Sequence, residues 1–314
     1  MPAMLVHYSF VLEAVPEDET PYLDAVRLGG QGPDPFFYYG VKPWGKPKDY
    51  KEVSGYGSTL HHTDFTDTYY AMIDYAMKSP DRDFLMAYID GLLMHYTVDR
   101  TFHQYIFCES GFDENGKLTG YYKWSHGAYE ALLDVVVSKQ KGTYMNPAKA
   151  IKMSKENAMK ISKMWQACTL DPKLTDQSFY RSWKDYRFAM NFLWSRSGWK
   201  RIFFRLAGKH SLVMGMSYPH HIKKYAPMDI LNEAHRAWLN CVTKQVRTES
   251  FSDLWDLAMS DYKKAHQIIE KAKLFQPEKD DLKAYVHSQD HDGFHVGVKK
   301  KSLRPLLGPA PSLG

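Results

Sequence analysis

The chain has 314 residues, with 41 Lys and Arg against 36 Asp and Glu, and its net charge of +5 is too mild to mark a nucleic-acid binder. Its longest apolar runs, such as residues 132–137, are too short to cross a bilayer, and the opening Met-Pro-Ala-Met-Leu-Val-His lacks the basic stretch and cleavage site of a signal peptide. The three cysteines, Cys108, Cys168 and Cys241, have no Cys-x-x-Cys spacing, which argues against a disulfide framework and predicts apolar fillers in a reducing cytoplasm.

Helical periodicity opens the chain over residues 5–15, and Pro16-Glu17-Asp18 closes it. Residues 29–35 are dense in Gly and Pro and predict a loop, and residues 43–57 read as a polar connection. The pattern returns to helix over residues 63–78, with His61-His62 at its start. Ser79-Pro80-Asp81 then begins a helix that runs to Cys108. A Gly/Asp/Asn loop over 111–120 leads to a helix over 125–139. Long amphipathic patterns continue over 147–168, 176–207, 228–248 and 252–273. Strand alternation is nowhere sustained over adjacent segments. The expectation is an all-α fold, a single multi-helix domain over residues 1–287, with a loose tail over 288–314 that carries a solvated Lys299-Lys300-Lys301 run.

The helix over 82–108 carries the chemistry. His95, Asp99 and His103 are four residues apart in an apolar context, within roughly 80° of arc on one helical face. Tyr88 and Leu92 share that arc, whereas Arg82, Asp83, Asp90, Thr97 and Arg100 map to the opposite side, so the column points inward. Two imidazoles and a carboxylate are costly to bury together unless something neutralises them, and a metal ion is the usual neutraliser. Other ligand-type residues join the column: His7 in the first helix, Asp34 between two prolines, His61-His62, and His126 with Glu130 at i, i+4 spacing. Singly, His7 reads as a core histidine, Asp34 as a turn residue, His61-His62 as a surface pair and His126/Glu130 as a helix-start pair. Together they point to Zn²⁺ or a similar first-row ion, and to more than one, with Asp99 able to bridge. Polynuclear sites of this kind hydrolyse phosphoesters. The remaining histidines, from His210 to His295, lie away from any such column and are left out of the site.

The run from Leu28 to Gly40, the His95-x3-Asp99-x3-His103 helix and the His126-x3-Glu130 helix together resemble the zinc-dependent phospholipase C family, which is related to the P1-type single-strand nucleases. The opening residues to His7, Met228 to Asn232 with Trp238, and Ser250 to Trp255 add to the likeness, which spans roughly residues 1–275. The resemblance implies an all-α fold around a three-zinc cluster. It assigns His61, His95 and Asp99 to one zinc, His103, His126 and Glu130 to a second, and His7 with bridging Asp99 to a third. Asp34 would be the general base or the water-orienting carboxylate. His62 is a rival for His61, which the family's apolar-residue-then-His step favours. In secreted members the processed N-terminal amine completes the third site, which here would require removal of Met1 before Pro2. The family's longer Asp-to-His interval is shortened to Asp99-x3-His103, and the β-sandwich with which its toxin members bind lipid is lacking.

The expected function is therefore cytoplasmic hydrolysis of a phosphodiester, by metal-activated water, on a small phosphoester or a phospholipid head group, with two or three Zn²⁺ and no membrane-inserting element. Two alternatives stand beside it. One is a P1-type nuclease or nucleotide phosphohydrolase, with Phe36, Phe37, Tyr38 and Tyr39 as stacking surfaces. The other is a metal-stabilised protein without turnover.

Overall fold

The computed structural model describes residues 4–16, 19–42, 44, 46–110, 122–169, 173–208, 211–219, 221–240 and 243–296, with backbone alone at 122–124. Helices dominate it, as expected. Helix α1 (Met4–Ala14) is buried on every side over its first eight residues, which suits its apolar sequence. A short α2 (Leu23–Gly29) and a 3₁₀ turn (Asp34–Tyr38) follow, then α3 (Tyr50–His61) and α4 (Thr66–Met77). The 29-residue α5 (Arg82–Ser110) is the axis of the molecule, and α1, α2, α4, α6 and α12 all pack on it. The chain continues as α6 (Tyr122–Gln140), α7 (Pro147–Ala150), α8 (Lys155–Cys168), α9 (Ser178–Leu193), α10 (Trp199–Phe204) and α11 (Leu212–Met216). A two-residue antiparallel pair, β1 (Trp238–Leu239) with β2 (Val246–Arg247), precedes α12 (Phe251–Leu274) and α13 (Lys279–Val286). Among the described residues no helix is long and apolar enough to cross a membrane.

Several local expectations fail for identifiable reasons. Residues 50–61 form a helix, not a polar connection, so His61 ends α3 rather than starting the next element. One of the glycines that suggested a loop serves packing: a Cβ on Gly57 would stand 3.1 Å from the Phe36 Cβ and 3.3 Å from the Phe37 backbone nitrogen. The pattern over 147–168 breaks at Ser154, whose hydroxyl accepts from Asn157 N and starts α8 as an N-cap. The one over 176–207 breaks into α9 and α10, joined by a turn from Ser195 to Gly198. The described residues of 229–248 are not helical. Asp229, Asn232 and His235 take left-handed backbone angles, and the Asn232 amide donates to the carbonyls of Arg236 and Glu249, which holds an irregular loop around the β1–β2 pair. Cys108 is half-buried and Cys168 buried. Cys241, the 111–120 loop, the Met1–Pro2 end and the lysine run lie outside the described residues.

The far side of α5 is covered rather than open to solvent. Asp90 accepts from the Tyr262 hydroxyl of α12 at 3.0 Å, Thr97 pairs with the Tyr285 hydroxyl, and Arg100 donates to the Tyr285 carbonyl at 2.7 Å and pairs with Asp261. The inward column and its reverse are thus both interior surfaces, facing different neighbours.

Candidate metal centre

All eight residues singled out from the sequence converge. Asp99 lies at the centre and its two oxygens face different partners. Oδ2 is 3.0 Å from His95 Nε2 and 3.7 Å from His61 Nε2, while Oδ1 is 3.1 Å from His7 Nε2 and 3.8 Å from His103 Nε2. Asp34 Oδ1 lies 3.1 Å from His61 Nε2, and Glu130 Oε1 lies 3.1 Å from His126 Nε2 and 3.6 Å from His103 Nε2. Three donor sets result, each with its atoms within 4.8 Å of one another: His7, His95 and Asp99; Asp34, His61 and His95; and His103, His126 and Glu130. Asp34 thus joins a ligand set rather than standing apart from it. His62 does not: its side chain is 44% exposed, its Nδ1 faces the Ser58 carbonyl at 2.5 Å, and its Nε2 lies 3.7 Å from Asp292.

Each element brings its residue for a local reason. The Asp134 carboxylate of α6 accepts from Val6 N at 2.9 Å, which ties the first turn of α1 to α6 and sets His7 over α5, where its ring stacks on His95 at 4.4 Å. The turn before Asp34 needs glycine: Gly32 has φ of 54°, and a Cβ there would fall 2.0 Å from the His95 ring.

The imidazole protons decide what the short contacts mean. His61 Nδ1 is 2.7 Å from the Gly57 carbonyl, His95 Nδ1 is 3.3 Å from the Gly30 carbonyl, and His103 Nδ1 is 2.9 Å from Asp292 Oδ1 and 3.3 Å from the His291 carbonyl. These acceptors require N–H on Nδ1, so in the neutral rings Nε2 carries a lone pair. That lone pair faces carboxylate oxygens at 3.0–3.8 Å. Consistently, His61 Nε2, His95 Nε2, Asp34 Oδ1 and Asp99 Oδ2 are buried with no hydrogen-bond partner. Lone pairs that face one another need a cation between them, and only a metal ion or added protons can supply it.

The electrostatics show both demands. Burial alone would raise the Asp99 carboxyl, but the charges of His95 and His103 hold it well below the usual range. Asp34 is likewise brought down to about 2 against the effect of burial, by nearby positive charge that includes His95 and His61. Burial lowers His95 and His103, yet the Asp99 charge outweighs it and raises both, whereas burial and repulsion from His95 keep His7 low. The space enclosed by His7, Asp99, His103, Glu130 and their apolar neighbours is about 10 Å³, room for an ion or a single water. A larger cavity of about 800 Å³, lined by Glu13, Asp90, Tyr262 and His266, contains none of the donors.

Two residues of the site were missed. His291 and Asp292, expected in a loose tail, are buried against the cluster. Residues 289–295 form a tight turn: Asp290 Oδ1 accepts from Asp292 N and Phe294 N, and Gln289 bridges His295. Tyr96 of α5 anchors the turn by donating to the Val286 and Gln289 carbonyls at 3.1 and 3.0 Å. The His291 ring lies 4.9 Å from that of His61 and 5.7 Å from that of His95, with neither nitrogen hydrogen-bonded among the described residues. The available signal was the His-Asp pair itself, set between Asp290 and Gly293. Of the expected stacking aromatics, Phe36 is packed edge-on between Tyr56, Trp165 and Phe179, Tyr38 and Tyr39 are buried, and only Phe37 is partly open, 5.0 Å from His61. No protein-family model matches the chain, nor does any curated protein or solved structure.

Proposed function

We propose that this cluster holds two or three zinc or similar first-row ions and that the protein is a phosphoester hydrolase. The observation that carries the reading is the meeting of bare imidazole lone pairs with unpartnered carboxylate oxygens around Asp99. The donors fit such ions in kind and number: Asp34, His61 and His95 with Asp99 Oδ2 for one, His103, His126 and Glu130 for a second, and His7 with Asp99 Oδ1 for a third. Bound ions of this class lower the pKa of water and neutralise charge on phosphoryl oxygens and leaving groups.

The chain's own residues do the rest. Asp99 links the sites of His95 and His7 through its two oxygens and lies 3.8 Å from His103 Nε2 of the second. Asp292 accepts the His103 Nδ1 proton and keeps Nε2 aimed at Glu130 and Asp99. A carboxyl held at about 2 is a weak base, so Asp34 serves as ligand and orienting group in preference to general base. His126, with its side chain 16% exposed, is the most accessible of the donors and marks the edge where substrate arrives. Resemblance to the zinc-dependent phospholipase C family supports a phosphodiester, and the burial of Phe36, Tyr38 and Tyr39 counts against a base-stacking nuclease.

Metal analysis of the purified chain with a panel of phosphodiesters and phosphomonoesters tests the reading. The expected result is two or three zinc ions per chain and hydrolysis that chelation abolishes and zinc restores. Tightly held zinc with no turnover on the panel would favour the metal-stabilised, non-catalytic alternative. A chain that binds no metal would overturn the site itself.

A further inference from the structure

We infer that the outer face of α9 and α10 is a docking surface for an anionic lipid bilayer. Trp199, Ile202, Phe203 and Leu206 are 60%, 75%, 64% and 82% exposed. Trp199, Ile202 and Phe203 share one face of α10 and Leu206 follows in the 3₁₀ turn Arg205–Ala207 that continues it, an i, i+3, i+4, i+7 pattern that ordinarily faces a core. Here it faces outward, because other residues of the same helix fix its inner side. Phe204 is buried against Phe192 at 5.0 Å, and the Arg201 guanidinium donates to the Met214 and Ser217 carbonyls. The apolar surface continues along α9 through exposed Phe192 and half-buried Phe188, stacked at 6.3 Å, to exposed Trp44, 5.4 Å from Phe188. A soluble monomer rarely exposes so many large apolar side chains side by side.

Charge identifies the occupant. Residues 186–228 contain eight Lys and Arg and not one Asp or Glu. The rest of the chain has 33 Lys and Arg against 36 Asp and Glu, so the positive excess of the whole protein resides in the segment that carries the apolar stripe. Exposed Arg196 and Arg205 flank the stripe, with Lys200 at its edge. Cations around a Trp- and Phe-bearing apolar face complement an anionic bilayer, whose head groups meet the former and whose acyl boundary takes the latter. Aliphatic Ile202 and Leu206 at the most exposed positions favour lipid over nucleic acid, which would use aromatic platforms alone.

The surface also adjoins the cluster. Helix α11, next in the chain, packs on α6, which carries His126 and Glu130, and the Met216 side chain lies 3.5 Å from where a Gly127 Cβ would stand. Docking would thus bring the accessible edge of the donor set toward the bilayer. The docking itself stands on the stripe and the charge, whether or not the cluster turns over substrate.

Co-sedimentation of the full chain with phosphatidylcholine vesicles, and with vesicles that also contain phosphatidylglycerol, tests the inference. Binding to the anionic vesicles should be at least about tenfold tighter. The triple variant Trp199→Ser, Ile202→Ser, Leu206→Ser should lose binding by about tenfold or more with unchanged circular dichroism and zinc content. Arg205→Gln should weaken it about fivefold. Failure to sediment with either vesicle, equal binding by the triple variant, stronger binding to a single-stranded oligonucleotide, or a dimer that only the triple variant dissolves would each overturn it. Zinc content reports on the cluster separately, so loss of docking is not confused with loss of the metal centre.

Discussion

Helices α5 and α10 both invert the ordinary burial rule, in opposite senses. Along α5 the core contains His95, Asp99 and His103, which are charged or strongly polar and nearly inaccessible. Along α10 and the 3₁₀ turn that continues it (Arg205–Ala207) the solvent meets Trp199, Ile202, Phe203 and Leu206. The difference lies in where compensation can come from. The polar groups of α5 face one another across a closed space, so a small ion can neutralise them from within. The apolar stripe of α10 faces away from the molecule, and only something as extended as itself can cover it. A buried polar column points to a cofactor, and an exposed apolar column points to a surface.

The sharpest way to break the first half of the comparison is Asp99→Asn. It removes the carboxylate whose two oxygens serve two of the three proposed ions, and loss of at least one ion per chain together with all measurable hydrolysis is expected; full zinc content by elemental analysis would contradict the bridge. Gly32→Ala follows, since its Cβ would collide with the His95 ring in a left-handed turn. A cost of about 2–4 kcal/mol in urea unfolding and a weakened metal centre are expected. Asp292→Asn leaves the ligands in place but frees the His103 tautomer, so competition with a chelating indicator should show zinc affinity down about 10- to 100-fold.

The pH response carries two opposite signs. His95 and His103 have raised pKa values in the folded, metal-free chain, because the Asp99 charge outweighs burial. Their protonated forms therefore stabilise that chain below the unfolded value of about 6.5, and this contribution is lost as pH rises through the folded values. Metal needs the deprotonated rings, so zinc retention should rise over the same range. Melting curves with and without chelator should converge toward acid and separate toward alkaline pH; parallel curves would exclude competition between protons and metal. The smallest effect belongs to α10: Ile202→Ser should move stability by no more than about 0.5 kcal/mol while it weakens vesicle binding. A clear loss of stability would place Ile202 in the packed interior and end the comparison.

The column of α5 was legible because one helix carries it, so spacing and residue type sufficed. His7, Asp34, His126 and Glu130 could be gathered because each is an unusual residue in an apolar or turn context. The element that carries His61 was misread because Gly55 and Gly57 look like breakers, and only the fold shows the close approach of the Phe36 turn to Gly57. Residues 228–248 keep a helical spacing of apolar residues, yet the Asn232 amide supplies the backbone with other partners. His291 and Asp292 show in the sequence only as a His-Asp pair among turn residues, and no local pattern says that they are buried. Their burial depends on Tyr96 and His103 of α5, and the contact from His103 to His291 spans 188 positions. The stripe of α10 was absorbed into a longer helical reading, since periodicity alone does not say which way a face points.

The turn that holds Asp292 has one more consequence. With His7 in the first described helix and Asp292 on His103 in the last described turn, a metal held at the centre would gather nearly the whole described chain into a closed loop. Such a closure acts on the unfolded chain as a reversible cross-link does, and because closure entropy grows only slowly with loop length, its value depends on the affinity of the clasp far more than on its span. Occupancy of the centre thereby reports whether the fold is complete: a chain that has lost its final turn would still display a full set of inner ligands, but would hold the metal without its latch.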